Sequence, residues 1–313
     1  MIKNETDKLK IAVQFFGHLR TFRKCAPSIE KHLLSKYDCD VFMHTWNKTE
    51  HDTCTWHNNK SRILDVNEKL LSVVQRLYKP KGLLVEEQKP AEERLLRLAH
   101  DNGRTQISVA GIRFMLASMK KADDLRLSYA EQNNVHYDYV ITLRPDIFLK
   151  KTFDFNLLQR EEKLQPDLLW RFYAVNPDSE AKNFIFASDL ASDIITIARP
   201  EVMTQSITVL NNTDFSQLLQ EDVWCPENLF IGLLVQKGIF SVPLAYYCRT
   251  DWRIERAGSY KKQPLYKKFI RLSLHKAKFY FHLFSGMAVP VFRLTAALGN
   301  KNIFDFKVGK YDE

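Results

Sequence analysis

Two hydrophobic periods alternate along the first half of the chain. Residues 10–16 (KIAVQFF) form a short apolar run that stops at Gly17, the pattern of a buried strand breaking into a loop. The spacing then predicts a helix over 27–36, a strand over 40–46 (DVFMHTW), a helix over 64–78, a strand over 82–87 and a short helix over 91–100, with 51–61 polar and irregular. Ile112, Leu116, Met119, Leu125 and Tyr129 recur at helical intervals and predict a long helix over 107–132. Residues 139–143 (YVITL) read as a β-branched strand ended by Arg144-Pro145-Asp146, because proline cannot donate to a ladder and restricts the residue before it. This alternation predicts an α/β fold, a mostly parallel sheet flanked by helices. The later pattern is mixed, with strands expected over 168–173, 183–187 and 239–247 and helices over 188–197 and 227–237. The expected organisation is a main domain over 1–250 and a C-terminal appendage over 251–313.

Charge adds one feature. Of 313 residues 45% are hydrophobic and 27% charged, a globular composition, and the formal net charge is +9. From Arg256 to Lys301 there are ten Lys or Arg and no Asp or Glu, so the rest of the chain is nearly neutral and no nucleic-acid partner is expected. On a helical wheel, residues 264–284 place Lys267, Lys268, Arg271, His275, Lys278 and His282 on one side. Phe269, Ile270, Leu272, Phe279, Phe281 and Phe284 lie opposite, with Lys276 the intruder. Such a helix either lies on an anionic membrane surface or packs on the main domain with its basic face in water. The uncharged stretch 279–292 is well short of the ~20 apolar residues of a membrane span. The start, MIKNETDKLK, carries no signal-like segment, and the five cysteines lack paired spacing, which together suggest reduced thiols in a cytoplasmic protein.

Ligands of open α/β sheets collect beyond the carboxyl ends of the strands. The residues there are Gly17-His18-Leu19-Arg20, His44-Thr45-Trp46 and Arg144-Pro145-Asp146. Arg20 can fork onto a phosphate, Trp46 can stack on a base or sugar, and Asp146 can hold a metal or a hydroxyl. Each has a plainer alternative: Gly17 as a turn, Trp46 as core, His44 as a satisfied buried histidine, and Arg144 with Asp146 as a pair bracing their turn. No glycine-rich phosphate loop and no GxSxG elbow is present. His44, His51, Cys54 and His57 lack the second pair that a zinc finger requires. Further on, Glu221, Asp222 and Glu227 surround a predicted helix start at Pro226. They serve either as caps favoured by the helix dipole or as a general base.

Four blocks taken together, FFGHLRTFRKCAPSIEKHLL, YDCDVFMHTW, YDYVITLRPDIFL and PENLFIGLLVQKGI, resemble bacterial GT-A-like glycosyltransferases of capsule, O-antigen and lipooligosaccharide biosynthesis over roughly residues 9–247. The resemblance implies a GT-A-like, Rossmann-like catalytic domain. It also implies a nucleotide-sugar donor bound by Gly17, Arg20, His44, Thr45 and Trp46, and catalysis drawn from Arg144, Asp146, Glu221, Asp222 and Glu227. The acceptor is then a surface polysaccharide or lipid-linked glycan, met on the cytoplasmic face of the inner membrane. Arg144-Pro145-Asp146 stands where the family has its Asp-x-Asp motif. Asp146 is the remaining candidate ligand for Mg²⁺ or Mn²⁺, but an arginine in place of the first carboxylate works against a cation and favours metal-independent or weakly metal-dependent transfer. The alternatives are a non-catalytic GT-A-like scaffold, or a transferase of another nucleotide-activated group.

Overall fold

A computed structural model describes residues 9–50, 63–88, 109–162, 168–173, 191–213, 230, 233–248 and 250–256. The chain divides into two units, Met1–Ser259 and Tyr260–Glu313. The second lies outside the described residues, and with it the basic helix expected over 264–284. The same holds for the segments expected over 51–61, 91–100 and 183–187 and for Glu221, Asp222 and Glu227.

The first unit is an α/β fold. Its strands are β1 (Lys10–Phe15), β2 (Asp38–Trp46), β3 (Gly82–Glu86), β4 (Tyr139–Leu143), β5 (Ile147–Leu149), β6 (Leu169–Tyr173), β7 (Ala191–Ala198), β8 (Ser241–Tyr247) and β9 (Trp252–Ile254). Seven of them form one sheet in the order β3-β2-β1-β4-β7-β6-β8, and only β7 runs against the rest. β5 and β9 make a separate antiparallel pair, with Ile147 opposite Ile254. Helices cover the sheet: α1 (Phe22–Ile29), α2 (Glu68–Tyr78), α3 (Val109–Asn133), α4 (Phe155–Glu162) and α5 (Pro200–Asn211).

β1 is central and parallel on both sides, and so buried on both faces. Ile11, Val13 and Phe15 join Phe22, Ile29 and Tyr78 of α1 and α2 in one core. Ala12 and Phe16 join Phe42, Met119, Met203 and Ile207 in a second core under α3 and α5. Gln14 points into that second layer, where its amide donates to Asp123 Oδ1 at 2.7 Å. Asp123 also receives Arg126 Nε at 2.9 Å, so a fully buried polar knot ties β1 to α3.

Three expectations need correction. The helix expected over 188–197 is replaced, over its described part, by a strand: Ala191–Ala198 is β7, inserted between β4 and β6. Its Ile194-Ile195-Thr196-Ile197 run is stiff at χ1 and suits a pleated sheet better than a helix. α1 starts at Phe22 and carries Pro27 within it, and the chain runs on as a π-turn over Glu30–Leu34, where Ser35 N–H reaches Glu30 C=O at 2.9 Å. A helical proline has no N–H for the i→i−4 ladder. α2 starts at Glu68, because the Asn67 side chain caps it by accepting Leu70 N–H at 3.0 Å. The helix Pro200–Asn211 and the β5–β9 pair were not expected; the first is announced by Pro200 at its first turn.

Candidate functional site

Strand order reverses its direction of growth at β1, which has β2 on one side and β4 on the other. In open α/β sheets this switch point leaves a crevice at the carboxyl ends of the two strands. The loops that leave β1 and β4 there carry Gly17–Arg20 and Arg144–Asp146.

These loops meet through charge. Asp146 is fully buried and both its oxygens are engaged. Arg144 Nε donates to Oδ1 at 2.9 Å and Arg144 Nη2 donates to Oδ2. Arg20 Nη1 donates to the same Oδ2 at 3.2 Å, while Arg20 Nε donates to Glu50 Oε1 at 2.9 Å. Glu50, only 4% exposed, lies just past the end of β2. Burial alone would raise the Asp146 pKa, but the Arg144 and Arg20 guanidiniums outweigh it and bring it down to about 2. For Arg144 burial likewise opposes the charge, and the Asp146 carboxylate more than offsets it, so its pKa is raised. Both groups are ionised at every physiological pH.

The backbone is fitted to this arrangement. Arg20 adopts φ +46°, in the left-handed region that a non-glycine residue enters only at a cost, and its N–H is held by Thr49 C=O at 2.9 Å. Gly17 has φ +86°, open to glycine alone without strain, and its N–H donates to Ser118 Oγ at 2.6 Å.

Ser118 belongs to a second network. Its Oγ lies 2.7 Å from His44 Nδ1, and His44 Nε2 lies 3.1 Å from Glu86 Oε2. Lys121 Nζ donates to Glu86 Oε1 at 3.1 Å. One hydrogen assignment satisfies every member: Gly17 N–H to Ser118, Ser118 O–H to Nδ1, and Nε2–H to Glu86. His44 is then neutral, in keeping with a pKa that burial lowers to about 4, partly countered by Glu86. The network ties the loop after β1 to β2, β3 and α3.

Of the residues expected at the site, Arg20, Arg144 and Asp146 are brought into direct contact. Gly17 shapes the same loop, and His44 reaches it through Ser118. Trp46, 6% exposed, packs edge-on against His44 (ring centroids 4.8 Å) and Phe114 (5.4 Å), and Thr45 is fully buried beside it. Their surroundings are core.

Four site residues have no signal in the sequence pattern. Glu50 and Ser118 enter through contacts distant along the chain. Glu255 and Arg256 arrive from beyond β9. Glu255 N–H donates to the Asp146 carbonyl at 2.8 Å, its own carbonyl accepts from Thr21 Oγ1, and its fully buried carboxylate is held by Lys24 and by Arg253 Nε at 2.9 Å. The arginine that follows stands in the field of Arg144, Arg20, Asp146 and Glu50.

A divalent cation does not fit this donor set. The one carboxylate of the tripeptide is enclosed, and both its oxygens are taken by the Arg144 and Arg20 guanidiniums. What the cluster leaves to a ligand is the guanidinium N–H groups of Arg20 and Arg144 that Asp146 and Glu50 do not take, donors of the kind that recognise phosphate. Among the described residues no helix is long and apolar enough to cross a membrane. No protein-family model matches the chain, and no curated protein matches it.

Proposed function

We propose that this protein is a metal-independent glycosyltransferase with a GT-A-like fold. It moves a sugar from a nucleotide-sugar donor to a surface-polysaccharide or lipid-linked glycan acceptor. One observation carries the reading: Arg20 and Arg144 converge on the buried Asp146 at the carboxyl ends of β1 and β4, the two strands that flank the switch point. The sheet supports it too. A parallel β3-β2-β1-β4 half that continues into a half with a single reversed strand suits a GT-A-like domain better than an all-parallel dinucleotide fold.

In this reading the donor phosphates lie on the guanidinium groups. Transfer breaks the bond between the anomeric carbon and the phosphate oxygen, which leaves with the bonding pair. The same carbon then bonds to an acceptor hydroxyl oxygen, whose proton passes to a base. The arginines stabilise the charge that grows on the departing phosphate, the work that a metal ion does where carboxylates are available. Asp146 positions both arginines and has no oxygen to spare for a cation. Glu221, Asp222 and Glu227 are the candidates for the base. The basic 264–284 segment would hold the enzyme on the anionic cytoplasmic face of the inner membrane, where a lipid-linked acceptor is presented.

The test is nucleotide release from UDP-, GDP-, dTDP- and CMP-sugars by the full chain in EDTA. Release from at least one donor, lost in Arg144→Gln, is expected. Activity abolished by EDTA and restored by Mn²⁺ or Mg²⁺ would overturn the metal-independent assignment. A second reading, a non-catalytic scaffold of the same fold, is favoured by the complete saturation of Asp146 within the protein; it predicts release from no donor.

A further inference from the structure

The loops that carry Arg20 and Arg144 are joined a second time, by the strand that leads out of the small β5–β9 sheet. β9 is anchored before it reaches them. Trp252 is buried in the first core, and Arg253 stands opposite Phe148 with its guanidinium 4.5 Å from the ring centre. The Asp251 carbonyl accepts Lys150 N–H at 2.8 Å, and its carboxylate accepts Tyr247 N–H at 2.9 Å. Glu255, the residue after β9, then lies between the two loops. Its N–H donates to the Asp146 carbonyl at 2.8 Å, and its carbonyl accepts the Thr21 hydroxyl. Its fully buried carboxylate is held by Lys24 and by Arg253 Nε at 2.9 Å, which fixes the backbone that carries it.

Thr21 gives up an ordinary bond for this one. It is the N-cap of α1, a position where a threonine hydroxyl usually accepts an N–H of the first helical turn. No such bond forms here, and the hydroxyl donates to Glu255 instead. Thr21 also directly follows Arg20, whose φ is +46°. A non-glycine residue stays in that region only where its surroundings over-determine it. Thr49 C=O holds the Arg20 N–H on one side, and Asp146 and Glu50 hold its side chain. The Thr21 hydroxyl holds the residue on the other side. Without that hydroxyl the strained turn loses one restraint, and the path through Glu255 to the Asp146 carbonyl is cut.

We infer that Thr21 and Glu255 are positioning residues for the arginine cluster: their hydroxyl–carbonyl bond, with the Glu255 N–H on the Asp146 carbonyl, sets the separation of the loops after β1 and β4 and so the alignment of Arg20 with Arg144. This rests on the glycosyltransferase reading and adds to it a part for β9. Donors aimed at a departing phosphate act through fixed placement, and a displacement of about 1 Å can cost about a hundredfold in rate. A slackened clasp therefore lowers kcat more than it raises KM.

The test is steady-state nucleotide release by the full chain from UDP-, GDP-, dTDP- and CMP-sugars, in EDTA and again with Mg²⁺, at a temperature where every variant is folded. Thr21→Val keeps the branched shape and removes the hydroxyl; it is expected to lower kcat about tenfold or more and to change KM less than about threefold. Thr21→Ser restores the hydroxyl and should return kcat to within about threefold of wild type. Thr21→Ala carries the comparison with Thr21→Ser if the valine variant does not fold. Asn67→Ala, which weakens the fold through the α2 cap, should keep the wild-type kcat and so separates lost alignment from lost stability. A wild-type kcat in Thr21→Val, or a loss that Thr21→Ser shares, overturns the clasp and leaves the donor reading standing. A raised KM at unchanged kcat overturns it equally. Release from no donor by the wild type removes the donor reading and the clasp together.

Discussion

Replacing Asp146 with asparagine deletes one negative charge and leaves the side chain nearly the same size. In the wild type that charge faces two guanidiniums, at 2.9 Å from Arg144 Nε and 3.2 Å from Arg20 Nη1. With an effective dielectric of about 20, each pair attracts by about 4 kcal/mol at ~4 Å between charge centres, before desolvation is subtracted. The net effect of ionisation is smaller. A carboxyl brought from 3.8 down to about 2 gains about 2 kcal/mol in the folded state, at roughly 1.4 kcal/mol per pKa unit. Asparagine should cost more than protonation, about 3–5 kcal/mol, because it leaves buried Arg144 facing an amide that also presents donors. The sign with pH follows from the depressed pKa: this stability is fully present above about pH 4 and is lost as pH falls from 3.8 towards 2. Urea denaturation of wild type and Asp146→Asn at pH 7, 5, 4 and 3 measures both effects. A gap of several kcal/mol at neutral pH that narrows below pH 4 is expected. A variant within about 1 kcal/mol of wild type at pH 7 would refute the role of Asp146 as the hub of the cluster.

His44 predicts a different window. Its pKa falls from 6.5 to about 4 in the folded state, so the unfolded chain takes up the proton first and stability declines as pH drops from 6.5 to 4, by about 3 kcal/mol in all. His44→Asn, which can still bond Ser118, should flatten the pH dependence of the urea midpoint across that range. At Arg20 the left-handed backbone makes glycine the better substitute: Arg20→Gly should melt above Arg20→Ala by the equivalent of about 1 kcal/mol, with donor turnover lost in both. Asn67→Ala should cost about 1 kcal/mol of stability through the lost α2 cap and leave nucleotide release unchanged.

What the sequence disclosed depended on range. YVITL followed at once by Arg-Pro-Asp is a local statement: a β-branched strand ends and charged groups begin, and the Arg144–Asp146 pair that stood as the plainer alternative to a ligand site is present. The position of Gly17 after a buried strand was equally local. β7 was misjudged because a strand flanked on both sides is apolar on both faces, so it shows no alternation and its period resembles that of a buried helix segment. Asn67 offered a cap that the hydrophobic spacing alone does not register. Trp46 carried no mark of burial in core, since a strand-end aromatic looks the same on either side of the sheet. Glu50, Ser118 and Glu255 stayed hidden for another reason. Their partners are brought to them by the strand order, and nothing near them in the chain marks them as site residues.

The central claim, that the arginine cluster at the β1–β4 switch point holds a sugar nucleotide, is tested most directly by the melting of the intact chain with each sugar nucleotide in EDTA. Ligand at about 100 times Kd should add about 2.7 kcal/mol, a rise of a few degrees. That rise should appear for at least one nucleoside-diphosphate sugar and vanish in Arg144→Gln. Melting that no sugar nucleotide shifts at millimolar concentration, or a shift that survives intact in Arg144→Gln, would contradict it.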